Sequence, residues 1–481
     1  MNIHENGLHS VEWGMKYFGL TPEDLQRVLA AALEKGGDYA DLYFEHTLNN
    51  GVGLMDGKVN NCSSNIDFGM GVRVLSGDQT GYAYVEGVSM DEMLRAARTA
   101  ARIATSGQTA SLPVGLTEQR IATSRYPIVQ PWEETTIQQK IPTLEQLNAR
   151  VFELDSRVSK VQAFMNDSTS HVLFYNSEGV AFCDYRPMVA LGVVCIMIDG
   201  TQMENGYAAR SFRKGVEFLN DDVVEILARE VVDKTALLFQ AIKPKGGEMP
   251  VVMGAGGSGI LLHEAIGHAF EADFNRKGTS IFSDMLGKQV SNPLVNVVDD
   301  GTLVNNRGAV NFDDEGVEGQ KTYLVKDGVL TSYLHDRISA RHYGVAPTGN
   351  GRRDTFRNIP IPRMRATYME AGPLKEGEII ACVKRGIYVD NFTNGQVQIG
   401  AGDFTFFVKS GYLIEDGRLT QPIKDINIIG NGPKALADIT MVADNAQIDN
   451  GTWTCGKDGQ SCPVTCGMPS ALVKCLTVGG E

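Results

Sequence analysis

Short alternating runs of apolar and polar residues, closed by Asp-Gly and other glycine turns, recur along this chain and leave it few folds to choose from. Early in the chain DLYFEHT, GVGLMDGKVNN and DFGMGVRVLSGDQTGYAYVEG alternate in this way and break at Gly or Asp-Gly. Such runs read as antiparallel hairpins: the tight turn needs positive φ, and alternation turns one face toward a core. Helical stretches stand between them. TPEDLQRVLAAALEK, 21–35, opens with Thr21 as N-cap and Pro22 in the first turn. Ser89 and Glu92 form a capping box for a helix to about Ala104, and Thr143 with Gln146 caps another to about Leu154. DDVVEILAREVVDKTALLF, 221–239, starts acidic and carries apolar residues at helical spacing. Residues 105–140 show no period and hold several Pro, so a long connection is expected there.

Hairpins mixed with isolated helices, without regular βαβ alternation, give an α+β class. At 481 residues the chain is long enough for two domains. AIKPKGGEMP marks the boundary, with a mixed α/β N-terminal domain over 1–245 and a β-rich C-terminal domain over 246–481. YLVKDGVLT, 323–331, and YLIEDGRLT, 412–420, repeat one hairpin pattern, read as a favoured turn rather than a duplication. The net charge of −14 argues against nucleic-acid binding, which needs a basic surface. No apolar run is long enough for a membrane helix, and the first residues lack the basic and apolar regions of a signal peptide, so a cytoplasmic protein is expected. Eight Cys in so long a chain read as thiols, with room for one metal ligand.

LLHEAIGHAFEADF, 261–274, nearly spells the H-E-x-x-H of zinc peptidases, but His268 comes one residue late after His263 and Glu264. On an ideal helix, residues five apart diverge by about 140°, so the two imidazoles would not share a metal. Gly267 offers a way out, since a glycine there permits a π-bulge that brings i and i+5 together. The residues alone leave both readings open: an ordinary helix with two His, or a metal site. A catalytic zinc keeps three protein ligands and an open position. Candidates for the third are Glu271, Asp273, His335, His342 and the late Cys, with Cys455 set between turn formers; Glu271 would serve equally as a hydrogen-bond acceptor for His268. GAGGSG ahead of the motif lacks the Gly-Lys-Ser/Thr ending of a phosphate loop, so its glycines are read as letting the helix start lie close to a strand.

The chain resembles the TldD/PmbA family of metallopeptidases along essentially its whole length. The matching blocks are GILLHEAIGHAFEADFNRKGTS, VVDDGT, DDEGVEGQ, PTGNGRRDTFRNIPIPRM, GIYV, LIEDGRLTQPIKDINIIGNG, CGKDGQS and LTVGG. The H-E-x3-H is similar to that of the TldD half; the PmbA (TldE) half lacks it. The resemblance implies one Zn2+ per active subunit, held by His263, His268 and Cys455, with Glu264 as general base. It implies a cytoplasmic peptidase that cleaves unfolded or unstructured peptides with little side-chain preference. It also implies a dimer, either homodimeric or with a PmbA/TldE-like subunit. The family has also been described as a modulator of DNA gyrase, so the alternative is a non-enzymatic regulator of a gyrase or toxin system. Cys462, Cys466 and Cys475 are expected to be plain thiols. Arg352 and Arg353, in GNGRRDTFR, are candidates to bind a peptide carboxylate, against a solvated loop or dimer contact. His335 and His342 are expected to be structural or to face a partner.

Overall fold

The computed structural model describes residues 9–104, 112 and 115–479. Its first half is one seven-stranded sheet: six strands come from a repeated helix–three strands–helix unit, and the seventh, Thr117–Glu118, lies between the two units in sequence. The first unit comprises helix Pro22–Ala32, strands Tyr39–Met55, Lys58–Ser76 and Gln79–Val85, and helix Met90–Ile103. The second comprises helix Ile137–Leu154, strands Val158–Asn176, Val180–Asp199 and Gln202–Phe212, and helix Asp221–Leu238. The first strands of the two units pair antiparallel at the sheet centre, from Asp41–Asn176 to Met55–Gln162, so the halves are related by an approximate twofold.

Turn chemistry sets the registers. Asp56 and Gly57 both have positive φ between the paired Met55 and Lys58, as a type I′ turn requires. Gly77 and Gly200 take positive φ at the first turn position of the next hairpin in each unit. The four helices cover one face. Pro22–Ala32 and Met90–Ile103 bury Val28, Leu29, Ala97 and Ala100 against Leu42, Phe44 and Val72. Ile137–Leu154 and Asp221–Leu238 bury Leu144, Leu147, Leu227 and Val231 against Val161, Leu191 and Val193.

The helix expected from Thr143 begins instead at Ile137. Thr136 is its N-cap, in a capping box with Gln139, and Pro142 lies inside the helix. The expected connection therefore ends earlier, and it holds a short strand, Thr117–Glu118, and a turn at Trp132–Glu134. The part of it at 105–111 and 113–114 lies outside the described residues.

Residues from Gly247 onward form two six-stranded sheets and small hairpins. In one sheet, strands Arg418–Asn431, Asp403–Glu415, Arg385–Val397, Gly247–Met253 and Ala471–Gly479 follow in order, and the last also pairs with the first, closing a five-stranded barrel. The other runs Val329–Leu330, Lys321–Lys326, Val297–Asp300, Ala366–Met369, Thr465–Met468, Gln447–Asp449. One core joins both sheets through the segment after Gly257, whose Leu261, Leu262, Ala265, Ile266, Ala269 and Phe270 are all buried in it. The fold is thus α+β, as expected. The YLVKDGVLT and YLIEDGRLT hairpins share Asp-Gly turns of positive φ but lie in different sheets.

The glycines before the motif permit a close approach. A Cβ on Gly259 would stand 2.6 Å from the Cα of Gly467, on the strand Thr465–Met468. Gly259→Ala should therefore destabilise the chain by about 1–3 kcal/mol through overpacking, read as a lower midpoint in urea unfolding.

Candidate metal centre

The chain enters the site through Gly256, which has φ 82°, and a tight turn at Gly257–Gly259. It then winds through Ile260–Leu262, a π-helical turn His263–Gly267, and a 3-10 turn His268–Phe270. In the π turn the backbone N–H of His268 donates to the carbonyl of His263. That i to i+5 bond inserts one residue and places the two imidazoles on one side, with ring centroids 5.1 Å apart at 80°. Gly267 makes room for it, since a Cβ there would collide with Met364 Sδ and meet the carbonyl oxygen of Leu262 at 3.1 Å. The late histidine is compensated by backbone geometry.

Cys455 arrives on the hairpin Thr454–Lys457/Gln460–Pro463, turned at Asp458-Gly459 with both φ positive. Its Sγ lies 3.3 Å from His268 Nε2. Ligand atoms of His263, His268 and Cys455 all lie within 4.8 Å of one another, and all three residues are buried. Burial alone would push the Cys455 thiol up, but His263 and His268 outweigh it and hold it down at about 4. A thiolate is the form that binds metal.

Charged groups fix this arrangement from behind. The fully buried Glu271 accepts from His268 Nδ1 at 3.1 Å. This bond leaves Nε2 facing Cys455 and selects the imidazole's orientation. Lys457 Nζ lies 3.1 Å from Glu271 Oε2 and donates to Asp273 Oδ1 at 2.7 Å and to the carbonyl of Pro362 at 3.0 Å. Burial opposes the charge on Glu271, yet Lys457 and His268 win and hold its pKa down at about 2. Arg363 Nη2 donates to the carbonyl of Cys455 at 2.6 Å. Lys457 and Arg363 were not singled out from the sequence. A signal existed for Lys457, which stands two residues after Cys455 and so shares its strand face.

Of the sequence candidates, His263, His268 and Cys455 come together. Glu271 and Asp273 serve the surrounding ion pairs instead. Glu264 sits partly exposed within the π turn, and its carboxylate makes no hydrogen bond or ion pair with the described residues. His335 is buried against Tyr333 and Tyr343, which pushes its pKa down to about 4, and His342 is exposed on helix Arg337–Tyr343. Cys462, cross-strand from Cys455, lies 3.4 Å from Arg363 Nη1, and burial pushes the thiols of Cys462 and Cys466 up. Arg352 and Arg353 are not on a solvated loop: both are buried. Arg352 donates to the carbonyl of Pro463 at 2.8 Å, and Arg353 lies over the Tyr43 ring and donates to the carbonyl of Asp314 at 3.0 Å.

The donor set suits a metal. Tetrahedral zinc with nitrogens at about 2.0–2.1 Å and a thiolate at about 2.3 Å puts sulfur and nitrogen roughly 3.5 Å apart, and Cys455 Sγ lies within a few tenths of an ångström of that, at 3.3 Å from His268 Nε2. The buried Nδ1 of His263 has no hydrogen-bond partner among the described residues.

Sequence profiles of the PmbA/TldA metallopeptidases match in three parts: domain 1 over 40–104, the central domain over 130–239 and the C-terminal domain over 246–480. A relative from Haemophilus influenzae, named metalloprotease TldD homolog, is 38% identical over 466 residues, covering 96% of this chain and 97% of its own. A Saccharolobus solfataricus relative, named zinc metalloprotease TldD homolog, is 29% identical over 347 residues, covering 71% and 76%. The chain belongs to the PmbA/TldD family of metallopeptidases. Two crystal structures share its fold. One, from Thermotoga maritima and described in connection with modulation of a DNA gyrase, has a TM-score of 0.77 at 22% identity over 95% of this chain and 100% of its own. TldE from Thermococcus kodakarensis has a TM-score of 0.73 at 18% identity over 95% and 100%.

Glu271→Gln removes the charge that orients His268 while preserving shape. It should weaken metal affinity by about 10–100-fold, measured by competition with a chromogenic chelator.

Proposed function

We propose that this chain is a zinc-dependent peptidase in which His263, His268 and Cys455 hold the metal and Glu264 is the general base. The observation that carries the reading is the π turn, which brings the two His of a five-residue spacing beside a cysteine thiolate while leaving the intervening Glu264 carboxylate unpaired. A zinc ion held by these three residues would supply Lewis acidity toward a peptide carbonyl. The unpaired Glu264 carboxylate would take a proton from an attacking water and deliver it to the leaving amine. Glu271 and Lys457 keep His268 in the tautomer that offers Nε2. The zinc identity is supported by the N, N, S donor set and by the name of the Saccharolobus relative.

A peptide is held by its backbone in this reading. Strand Gln447–Asp449 is at the end of its sheet, paired on one side with Thr465–Met468. It lies beside the turn that opens the motif: a Cβ on Gly257 would stand 3.2 Å from Asp449 Oδ2. Such an edge adds a substrate strand through main-chain hydrogen bonds, without reading side chains, which fits unfolded or unstructured peptides. We further propose a division into domains 1–245 and 246–481, a cytoplasmic location, and a working dimer, with a second copy or a TldE-like subunit. The fold shared with TldE supports the pairing of like subunits. No helix among the described residues is long and apolar enough to cross a membrane.

Glu264→Gln should keep its metal and lose at least about 100-fold in cleavage of an unfolded polypeptide, assayed with and without a TldE-like subunit. Wild-type cleavage by that variant would remove the general-base assignment.

A further inference from the structure

Between the helix-free face of the N-terminal sheet and the hairpin that carries Cys455 lies a polar cavity of about 410 Å³. Its acids are engaged. Asp314 accepts from Arg186 at 2.6 Å and from the Arg353 N–H at 2.8 Å, and Asp67 pairs with Arg357 at 2.7 Å. Asp354 accepts from the Ser461 N–H at 3.2 Å. Glu45 accepts from Thr47 and from the Phe356 N–H, and burial raises its pKa to about 7.

Four further arginines line the same space: Arg213, Arg307, Arg352 and Arg365. All are buried, and none forms an ion pair with a carboxylate among the described residues. Their bonds go to neutral groups. Arg307 reaches the carbonyl of Trp453 at 3.0 Å and the hydroxyls of Ser211 and Thr454. Arg352 reaches the carbonyl of Pro463, and Arg365 that of Gly349 at 2.6 Å. Arg213 has one long bond, 3.4 Å to the carbonyl of Pro187, and its Nε is buried without a partner. Buried cations without a directly paired carboxylate are costly and repel each other. Burial lowers Arg213 and Arg307 to about 10 and Arg365 to about 9; the neighbouring cations Arg186, Arg213 and Arg352 add to this, and Asp184 beside Arg213 and Asp313, Asp314 and Asp299 around Arg365 offset it only in part. A stable fold keeps such a cluster where something else supplies the negative charge.

We propose that this cavity is an oxyanion-binding site in which Arg213, Arg307, Arg352 and Arg365 hold a carboxylate or phosphate group. Planar guanidinium forks match such groups with paired hydrogen bonds. A second cavity of about 500 Å³ shares Asn49, Ser168, Met188, Arg307 and Thr454 with the first and continues past the exposed Asn65, so the anion has a route in. The ligand is either a free phosphate or the carboxylate end of a peptide. The site is distinct from the metal triplet and does not rest on the peptidase reading.

The test is isothermal titration of the intact chain, freed of oxyanions, with inorganic phosphate in one arm. The other arm uses an acetylated hexapeptide as free acid and as amide. Saturable binding in either arm supports the site. Phosphate alone identifies a free anion, and a free acid at least tenfold tighter than the amide identifies a chain end. Arg213→Gln, and Arg365→Lys as the variant that keeps charge and folding, should each weaken binding at least tenfold, while Cys455→Ser should not. The proposal fails if neither ligand binds, if both arginine variants bind as wild type, or if Cys455→Ser abolishes binding.

Discussion

The whole site depends on one backbone bond, from the N–H of His268 to the carbonyl of His263. An α-helical register at that point would send the two imidazoles to different sides, and Cys455 would meet one histidine only. The extra residue in the turn costs favourable helix geometry, and the surroundings hold it in place. Gly267 leaves Met364 room to pack against the bare backbone, and the flanking apolar side chains bury the segment in the core shared by the barrel and the second sheet. Gly259 meets Gly467 on that second sheet with the same intimacy. The fold supplies a rigid socket, and the socket supplies the register.

Electrostatics complete what packing begins. Two histidines and a cysteine buried together are unfavourable unless each finds a counterpart. His268 finds Glu271, Glu271 finds Lys457, and Lys457 finds Asp273. Lys457 and Cys455 ride on one strand, so the residue that steadies Glu271 and the thiolate that faces His268 are placed by a single hairpin. The arginine cavity lies on the other side of that hairpin, where Thr454 and Pro463 accept from Arg307 and Arg352. Both charged sites therefore share one hairpin.

Much of this was legible in advance, and for physical reasons. Asp-Gly pairs at 56–57, 327–328, 416–417 and 458–459 all adopt the positive φ that marks tight hairpins. The H-E-x3-H spacing and Gly267 together allowed a π turn but left an ordinary helix with two His equally open. The helix start at Ile137 was not legible, because Pro142 reads as a break and Thr143 as the cap behind it. Burial of Leu144, Leu147 and Val151 outweighs the hydrogen bond that Pro142 removes. The twofold repeat of the N-terminal sheet also escaped, since it resides in pairing between strands far apart in sequence. Arg352 and Arg353 sit in a polar glycine-rich stretch that reads as a solvated loop. Only the three-dimensional arrangement reveals Asp314, Tyr43 and the carbonyls that bury them.

The most direct test of this account is elemental metal analysis of the purified chain beside its Cys455→Ala variant, after zinc has been offered to both. The account predicts about one zinc per wild-type chain and a sharp fall in the variant, because two buried histidines without the thiolate make a poor site. Equal zinc in both proteins would place the third ligand elsewhere, and no metal in either would contradict the metal centre altogether.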